Sequence, residues 1–269
     1  MTAIVETRGV SKHFGDFRAL DDVSVAVSEG EFVSIVGPNG AGKTTLVNLL
    51  TGLLVPTSGQ VFFKGADIAG IGPVALAKRG MARTFQLVQI FPQLTVAETI
   101  AAAVVSQQDK PWRLFADLSS DAAVRARVDE IARIFGLEGR LQSVSRLLSQ
   151  GEKKLLDVAS AFALKPEVIL LDEPTSGLDP ATEERIMKLF RQIAESGRTV
   201  IMTTHAMENV KLFDKIVVMM RGKLVFYGAP DDALKYLNAK SFKGLFDRLE
   251  KPVEEQVREH GEANRVSSP

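Results

Sequence analysis

The stretch Gly37-Pro38-Asn39-Gly40-Ala41-Gly42-Lys43-Thr44-Thr45 limits what this chain can fold into more than any other. It fits G-x-x-x-x-G-K-[ST], the phosphate-binding loop. An apolar run, Phe32 to Val36, precedes it and reads as a buried strand, and a helix-like run, Thr45 to Leu50, follows it. A glycine-rich turn before an amphipathic helix would look similar in isolation, but the motif has the strand–loop–helix context it needs. Glycines allow backbone conformations that a side chain forbids, so successive N–H groups can turn inward on a polyphosphate. The helix N-terminus adds its partial positive charge. Lys43 is placed to reach the β- and γ-phosphates of a nucleotide such as ATP, and the Thr44 hydroxyl to ligate Mg²⁺.

A second feature completes such a site. Val168-Ile169-Leu170-Leu171 is an apolar run that ends in Asp172-Glu173, and it reads as a fully buried parallel strand. Two adjacent acids closing an apolar strand are unusual on burial grounds alone. Asp172 suits a Mg²⁺ held through water. Glu173, pointing elsewhere because side chains alternate along a strand, suits a carboxylate that polarises the attacking water. His205 follows the strand-like run Thr199 to Thr203 and is a candidate for contact with the γ-phosphate. Phe14, beside Gly15, is either a platform for an adenine ring or an ordinary core aromatic.

Composition bounds the rest. A chain of 269 residues can bury a full core as one large domain or one domain with a subdomain. The formal net charge is +0, so nothing points to nucleic acid as a partner. There are no cysteines, which excludes disulfides and thiolate metal sites. The first residues lack the basic and apolar regions of a signal peptide. No stretch approaches the roughly eighteen apolar residues of a membrane span.

In chain order, Ile4 to Val10, Ser24 to Val27 and Phe32 to Val36 read as strands, and their close spacing suggests antiparallel pairing. Lys12 to Gly15 lies between the first two. Helical periodicity marks Ala75 to Gly80, Val96 to Val105, Asp121 to Phe135, Glu152 to Ala163 and Ala181 to Glu195. Ser120 or Asp121 is a candidate cap for the third of these. The mostly helical stretch at about 95–163, which includes the only tryptophan, Trp112, reads as a subdomain inserted in an α/β core. Thr199 to Thr203, Ile216 to Met220 and Leu224 to Tyr227 are further strands, the last two closing a hairpin over Arg221-Gly222. Asp231 to Leu237 reads as a short helix capped by its aspartates. The tail at 251–269 is charged and poor in large apolar residues, so it is expected to lack order.

With the loop, Asp172-Glu173 and His205 together, the chain resembles the ATP-binding subunit of an ABC transporter, over Ile4 to about Leu237. Leu148-Ser149-Gln150-Gly151-Glu152 carries the family signature, usually L-S-G-G-Q; Gln150 and Glu152 depart from it, while Ser149 and Gly151 are kept. The resemblance implies several roles. Arg83-Thr84-Phe85-Gln86 would be the Q-loop, with Gln86 reaching the metal and the attacking water. Ser176-Gly177-Leu178-Asp179 would be the D-loop, His205 the switch histidine, and Phe14 the adenine-loop aromatic. It also implies a P-loop NTPase core over 1–250 with an N-terminal antiparallel β subdomain, and Mg²⁺-dependent ATP hydrolysis. Two such subunits, identical or not, would pair head to tail, each ATP lying between one phosphate loop and the other's Ser149 and Gly151. They would drive two transmembrane permease subunits from the cytoplasmic face of the plasma membrane, with a solute-binding protein as a further partner. Phe91, Leu94-Thr95-Val96 and the stretch around Trp112 resemble branched-chain amino-acid importers most. Thr203-Thr204-His205 and the region from Phe226 to Glu250 look more like subunits of exporters. A soluble ATPase of the same fold would carry a tandem cassette or a long coiled coil, and neither is present.

Overall fold

The computed structural model describes residues 3–84, 91–106, 121–204 and 209–236. Strands β1 (Ala3–Phe14) and β2 (Phe17–Ser28) form a long antiparallel hairpin. β3 (Phe32–Val36) leads into the phosphate loop and helix α1 (Lys43–Leu50). β4 (Ser58–Phe63) and β5 (Ala66–Asp67) precede α2 (Pro73–Lys78) and β6 (Met81–Thr84). Helices α3 (Val96–Ser106), α4 (Ala122–Phe135) and α5 (Gln150–Ala163) come next. The chain then runs through β7 (Val168–Asp172), α6 (Pro180–Glu195) and β8 (Thr199–Thr204). It continues with β9 (Lys215–Met220), β10 (Lys223–Gly228) and α7 (Pro230–Tyr236).

Two sheets result. One is antiparallel, in the order β2-β1-β4-β5; the other has the order β10-β9-β3-β8-β7-β6 and is parallel except for β10. The spacing of the first three strands therefore misled in one respect: β3 does not pair with β2. All five of its residues are buried, and a strand apolar on both faces belongs inside a parallel sheet covered on two sides. β3 sits there between β8 and β9. The first strand also runs on through Lys12-His13-Phe14, which the sequence reading left between strands, and the turn falls at Gly15-Asp16.

The helices follow their apolar periodicity. In α6 the buried residues are Ile186, Met187, Phe190, Ile193 and Ala194, one face of a 3.6-residue repeat. Phe190 is wholly buried, and truncating such a side chain to alanine costs about 3–5 kcal/mol. Caps fix the helix ends. The Asp121 carboxylate accepts from the Ala123 and Val124 N–H groups at the start of α4, and Gly136 ends that helix in the left-handed region. Asp231 and Asp232 lie in the first turn of α7 rather than at its cap, where they still face the positive end of the helix. Leu237, Trp112 and the 251–269 tail lie outside the described residues.

Candidate nucleotide site

β3, β7 and β8 end side by side, and their carboxyl ends carry the chemistry. The loop after β3 turns back so that Gly37 passes close to β9: a Cβ there would lie 2.3 Å from the Met219 carbonyl oxygen. At Gly42, φ is +99° and a Cβ would meet the Ala19 carbonyl at 2.8 Å. No larger residue fits either place, and the backbone N–H groups are thereby held around a hollow. That hollow is a pocket lined by residues 39–45, Phe17 and Ala19 of β2, and Glu173. Asn39, Gly40 and Thr44 are exposed, Pro38 and Thr45 half-buried, and Ala41 and Lys43 buried.

The Lys43 ammonium donates to the carbonyls of Gly37 at 2.7 Å and Pro38 at 3.1 Å. Burial lowers its pKa, and the charges of Glu173 and Asp172 push back. The cation thus rests against its own loop, within reach of two carboxylates.

Asp172 is buried at the end of β7. Its Oδ1 accepts from the Thr203 hydroxyl at 2.8 Å, and its Oδ2 from Arg83 Nη2 at 3.0 Å. Arg83 also donates to Asn48 Oδ1 at 2.6 Å and Thr51 Oγ1 at 3.1 Å on and just after α1. One guanidinium therefore ties the phosphate-loop helix to β6 and β7. Burial lowers the Arg83 pKa, and the Asp172 charge opposes this.

Glu173 turns away from Asp172 for a different reason than strand alternation. It has left the strand, with φ at +47°, an uncommon conformation for a non-glycine residue that clusters at functional sites. Four hydrogen bonds hold the turn. The Glu173 N–H donates to Thr203 Oγ1 at 2.9 Å. The Lys154 ammonium of α5 donates to the Glu173 carbonyl at 3.4 Å, and also to the carbonyl and hydroxyl of Ser176. Burial lowers the Lys154 pKa, against the pull of Glu173.

Ser149 caps α5. Its hydroxyl oxygen accepts from the Glu152 N–H, and the Glu152 carboxylate accepts from the Ser149 N–H at 2.8 Å, a reciprocal capping box. Ser149 is exposed, and neither it nor Gly151 lines the pocket around Lys43. Gly151 packs on α6: a Cβ there would lie 3.2 Å from Thr182 Cγ2. Phe14 is 48% exposed, which removes the reading of it as a core aromatic. It pairs with Phe17 at the tip of the hairpin, and Phe17 rather than Phe14 lines the pocket. Gln86 and His205 lie outside the described residues.

Sequence reasoning assigned no role to Arg83, Thr203, Lys154 or Phe17. Arg83 and Thr203 stood inside recognised motifs, which was the available signal. What they touch depends on strand order, which no local pattern contains.

Among the described residues no group of three or more acidic, histidine or cysteine side chains could hold a metal by itself. The exposed Thr44 hydroxyl and the buried Asp172 carboxylate are donors of a kind that fits Mg²⁺ nonetheless, because that ion is held by one or two protein ligands with the rest from water and substrate phosphates. Strand, phosphate loop, helix and acidic strand end define a nucleotide-binding α/β protein of the P-loop class.

Comparison with known proteins makes the class specific. The family model described as ABC transporter matches residues 20–176, and the chain belongs to that family. It is an ABC-type ATPase cassette, whose ligands are ATP and Mg²⁺. It is 35% identical over 232 residues to the probable multidrug ABC transporter ATP-binding protein YbhF of Escherichia coli, covering 85% of this chain but only 38% of YbhF. It is 30% identical over 236 residues to the probable branched-chain amino acid transport ATP-binding protein LivG of Methanocaldococcus jannaschii, covering 86% of this chain and 92% of LivG. Among solved structures, the ADP conformation of the cassette MJ1267 superposes with a TM-score of 0.80 at 26% identity, covering 93% of this chain and all of that one. The dimeric post-hydrolysis structure of the cassette MJ0796 with ADP and Pi gives 0.72 at 29%, covering 84% and 98%. Among the described residues no helix is long and apolar enough to cross a membrane.

Proposed function

We propose that this chain is the ATP-hydrolysing subunit of an importer for branched-chain amino acids or related solutes. It works as a pair of cassettes beneath two transmembrane permease subunits, at the cytoplasmic face of the plasma membrane. A solute-binding protein delivers the cargo. The cassette extends over 1–250, with a helical subdomain at about 95–163. The observation that carries the transport assignment is the match to LivG along nearly that protein's whole length. The greater identity to YbhF favours a second reading, an exporter subunit.

The positions of Lys43, Asp172 and Glu173 support the following mechanism, in which Gln86 and His205 take the roles that the family resemblance implies. Residues 37–45 cradle the phosphates of ATP, and the hairpin tip with Phe14 and Phe17 flanks the base. Lys43 leaves the Gly37 and Pro38 carbonyls for the β- and γ-phosphates, which are stronger acceptors. Asp172, Thr44 and Gln86 would hold Mg²⁺, which would supply positive charge against the phosphates. Glu173, set apart from Asp172 by its turn, accepts a proton from the attacking water, and His205 contacts the γ-phosphate. Ser149 and Gly151 stand outside their own chain's pocket and serve the ATP of a second copy, as MJ0796 is described as dimeric. ATP then favours a closed pair, and hydrolysis removes that preference.

The test is co-purification from detergent-extracted membranes followed by reconstitution. ATP-driven uptake of labelled leucine supports the importer. Efflux of a dye or drug with no leucine uptake supports the exporter.

A further inference from the structure

Glu152 stands where the family signature has a neutral glutamine, and its charge sits in an awkward place. One carboxylate oxygen accepts the Ser149 N–H at 2.8 Å, so the negative charge lies at the N-terminus of α5, beside the Ser149 hydroxyl. Within one chain this is favourable, because a carboxylate suits the positive end of a helix. The Ser149 N–H, the Ser149 hydroxyl and the Arg140 guanidinium together hold the Glu152 carboxyl below the usual carboxylate range, against the opposing effect of burial, so it is ionised at neutral pH. For a phosphate that must reach the same helix end it is a repulsive neighbour.

The structure also supplies a compensating charge. Arg140, from the 3-10 turn Glu138–Arg140 between α4 and α5, donates from Nε to the other carboxylate oxygen at 2.7 Å. The arginine side chain is 56% exposed and the glutamate 23%, so the pair sits at the surface that faces outward with Ser149. Both carboxylate oxygens are thereby engaged, and the Ser149 hydroxyl oxygen already accepts from Glu152 N–H. The same hydroxyl also helps to hold the Glu152 carboxylate, so serine and glutamate meet an incoming oxygen as one unit.

We propose that Arg140 is a positioning residue for nucleotide contact across the pair: by neutralising Glu152 it lets Ser149 and the α5 N-terminus receive the γ-phosphate held by a second copy of this chain. The inference rests on the composite site proposed above. Arg140 touches no nucleotide itself and acts through Glu152.

The experiment uses full-length Glu173→Gln as parent and measures, by light scattering, the concentration of ATP with Mg²⁺ that half-converts it to dimer. Adding Arg140→Gln is expected to raise that concentration about tenfold, because a bare carboxylate then faces the γ-phosphate. Binding of ATP to dilute monomer should stay within about twofold, since Lys43 and its loop are untouched. Adding Glu152→Gln to Arg140→Gln should restore dimerisation to within about twofold of the parent, and Arg140→Lys should retain it. Restoration by removing a charge is what a merely structural role for Arg140 would not give. Arg140→Gln dimerising at the parent's ATP concentration, or the double variant doing no better than the single, overturns the proposal while leaving the composite site standing. A parent that never dimerises with ATP overturns both.

Discussion

Replacing Arg83 with methionine tests how the site is held together. Methionine has a similar length and no donors, so the change deletes the ion pair to Asp172 and the hydrogen bonds to Asn48 and Thr51. The side chains of Arg83 and Asp172 are only 9% and 4% exposed. Water cannot replace the lost partner, and Asp172 keeps the Thr203 hydroxyl alone. Breaking a buried pair from one side costs about 3–5 kcal/mol. For a domain of this size each kcal/mol moves the thermal midpoint by about 2–4 °C, so Arg83→Met should melt about 6–20 °C lower. The assay is thermal unfolding by circular dichroism without nucleotide, because a bound ligand adds its own stabilisation. Arg83→Met with Asp172→Asn should recover most of the loss, since the stranded charge is gone and asparagine still accepts from Thr203. Arg83→Lys should fall between, because an ammonium lacks the fork that reaches two elements at once. A loss below about 1 kcal/mol, or no recovery in the double variant, would refute the view of Arg83 as a buried clamp.

Other outcomes follow from the same geometry. Lys43→Ala should lose most ATP affinity and all turnover, because Lys43 is the cation that the pocket sets against the phosphates; wild-type binding in a nucleotide titration would remove it from that role. Glu173→Gln should still bind ATP, nearly stop hydrolysis and accumulate an ATP-dependent dimer, since an amide is a poor proton acceptor; unchanged phosphate release would exclude Glu173 as the base. Two capping glutamates should make the helical region acid-sensitive. Thr95 holds the Glu98 carboxyl, and Ser149 and Arg140 hold that of Glu152, below the usual range. Their contribution is therefore full above the unfolded value of about 4.3 and is lost as pH falls through the lowered folded values. Stability measured from pH 6 down to 3 should drop less steeply in Glu98→Gln/Glu152→Gln than in the parent, and parallel curves would contradict this.

The parts of the fold set by neighbouring residues were legible beforehand. The phosphate loop, the Asp121 cap, the stripe of α6 and the strand ending at Asp172 are each written within a dozen residues. What depended on distant partners was not. Phe32 to Val36 looked ready to pair with the strand before it, yet complete burial sent it between β8 and β9. Phe14 was a fair choice for the base platform, but the register of the hairpin places Phe17 beside it and against the loop. The bonds of Arg83 and Lys154 join elements far apart in the chain, and a buried arginine or a lysine gripping a turn has no signature in its neighbours.

The central claim is that each ATP is gripped by Lys43 of one copy and Ser149 of another. Lys43→Ala and Ser149→Arg, each pure, should lose both sites of their pairs. In a mixed pair both lesions fall in one site, and the other combines an intact loop with an intact capped helix end. The measurement is the number of nucleotides trapped per dimer, with hydrolysis alongside, in a mixture shown by differential tagging to contain heterodimers. The account expects one nucleotide per mixed dimer and partial recovery of hydrolysis. Heterodimers that trap no nucleotide and hydrolyse none would contradict it.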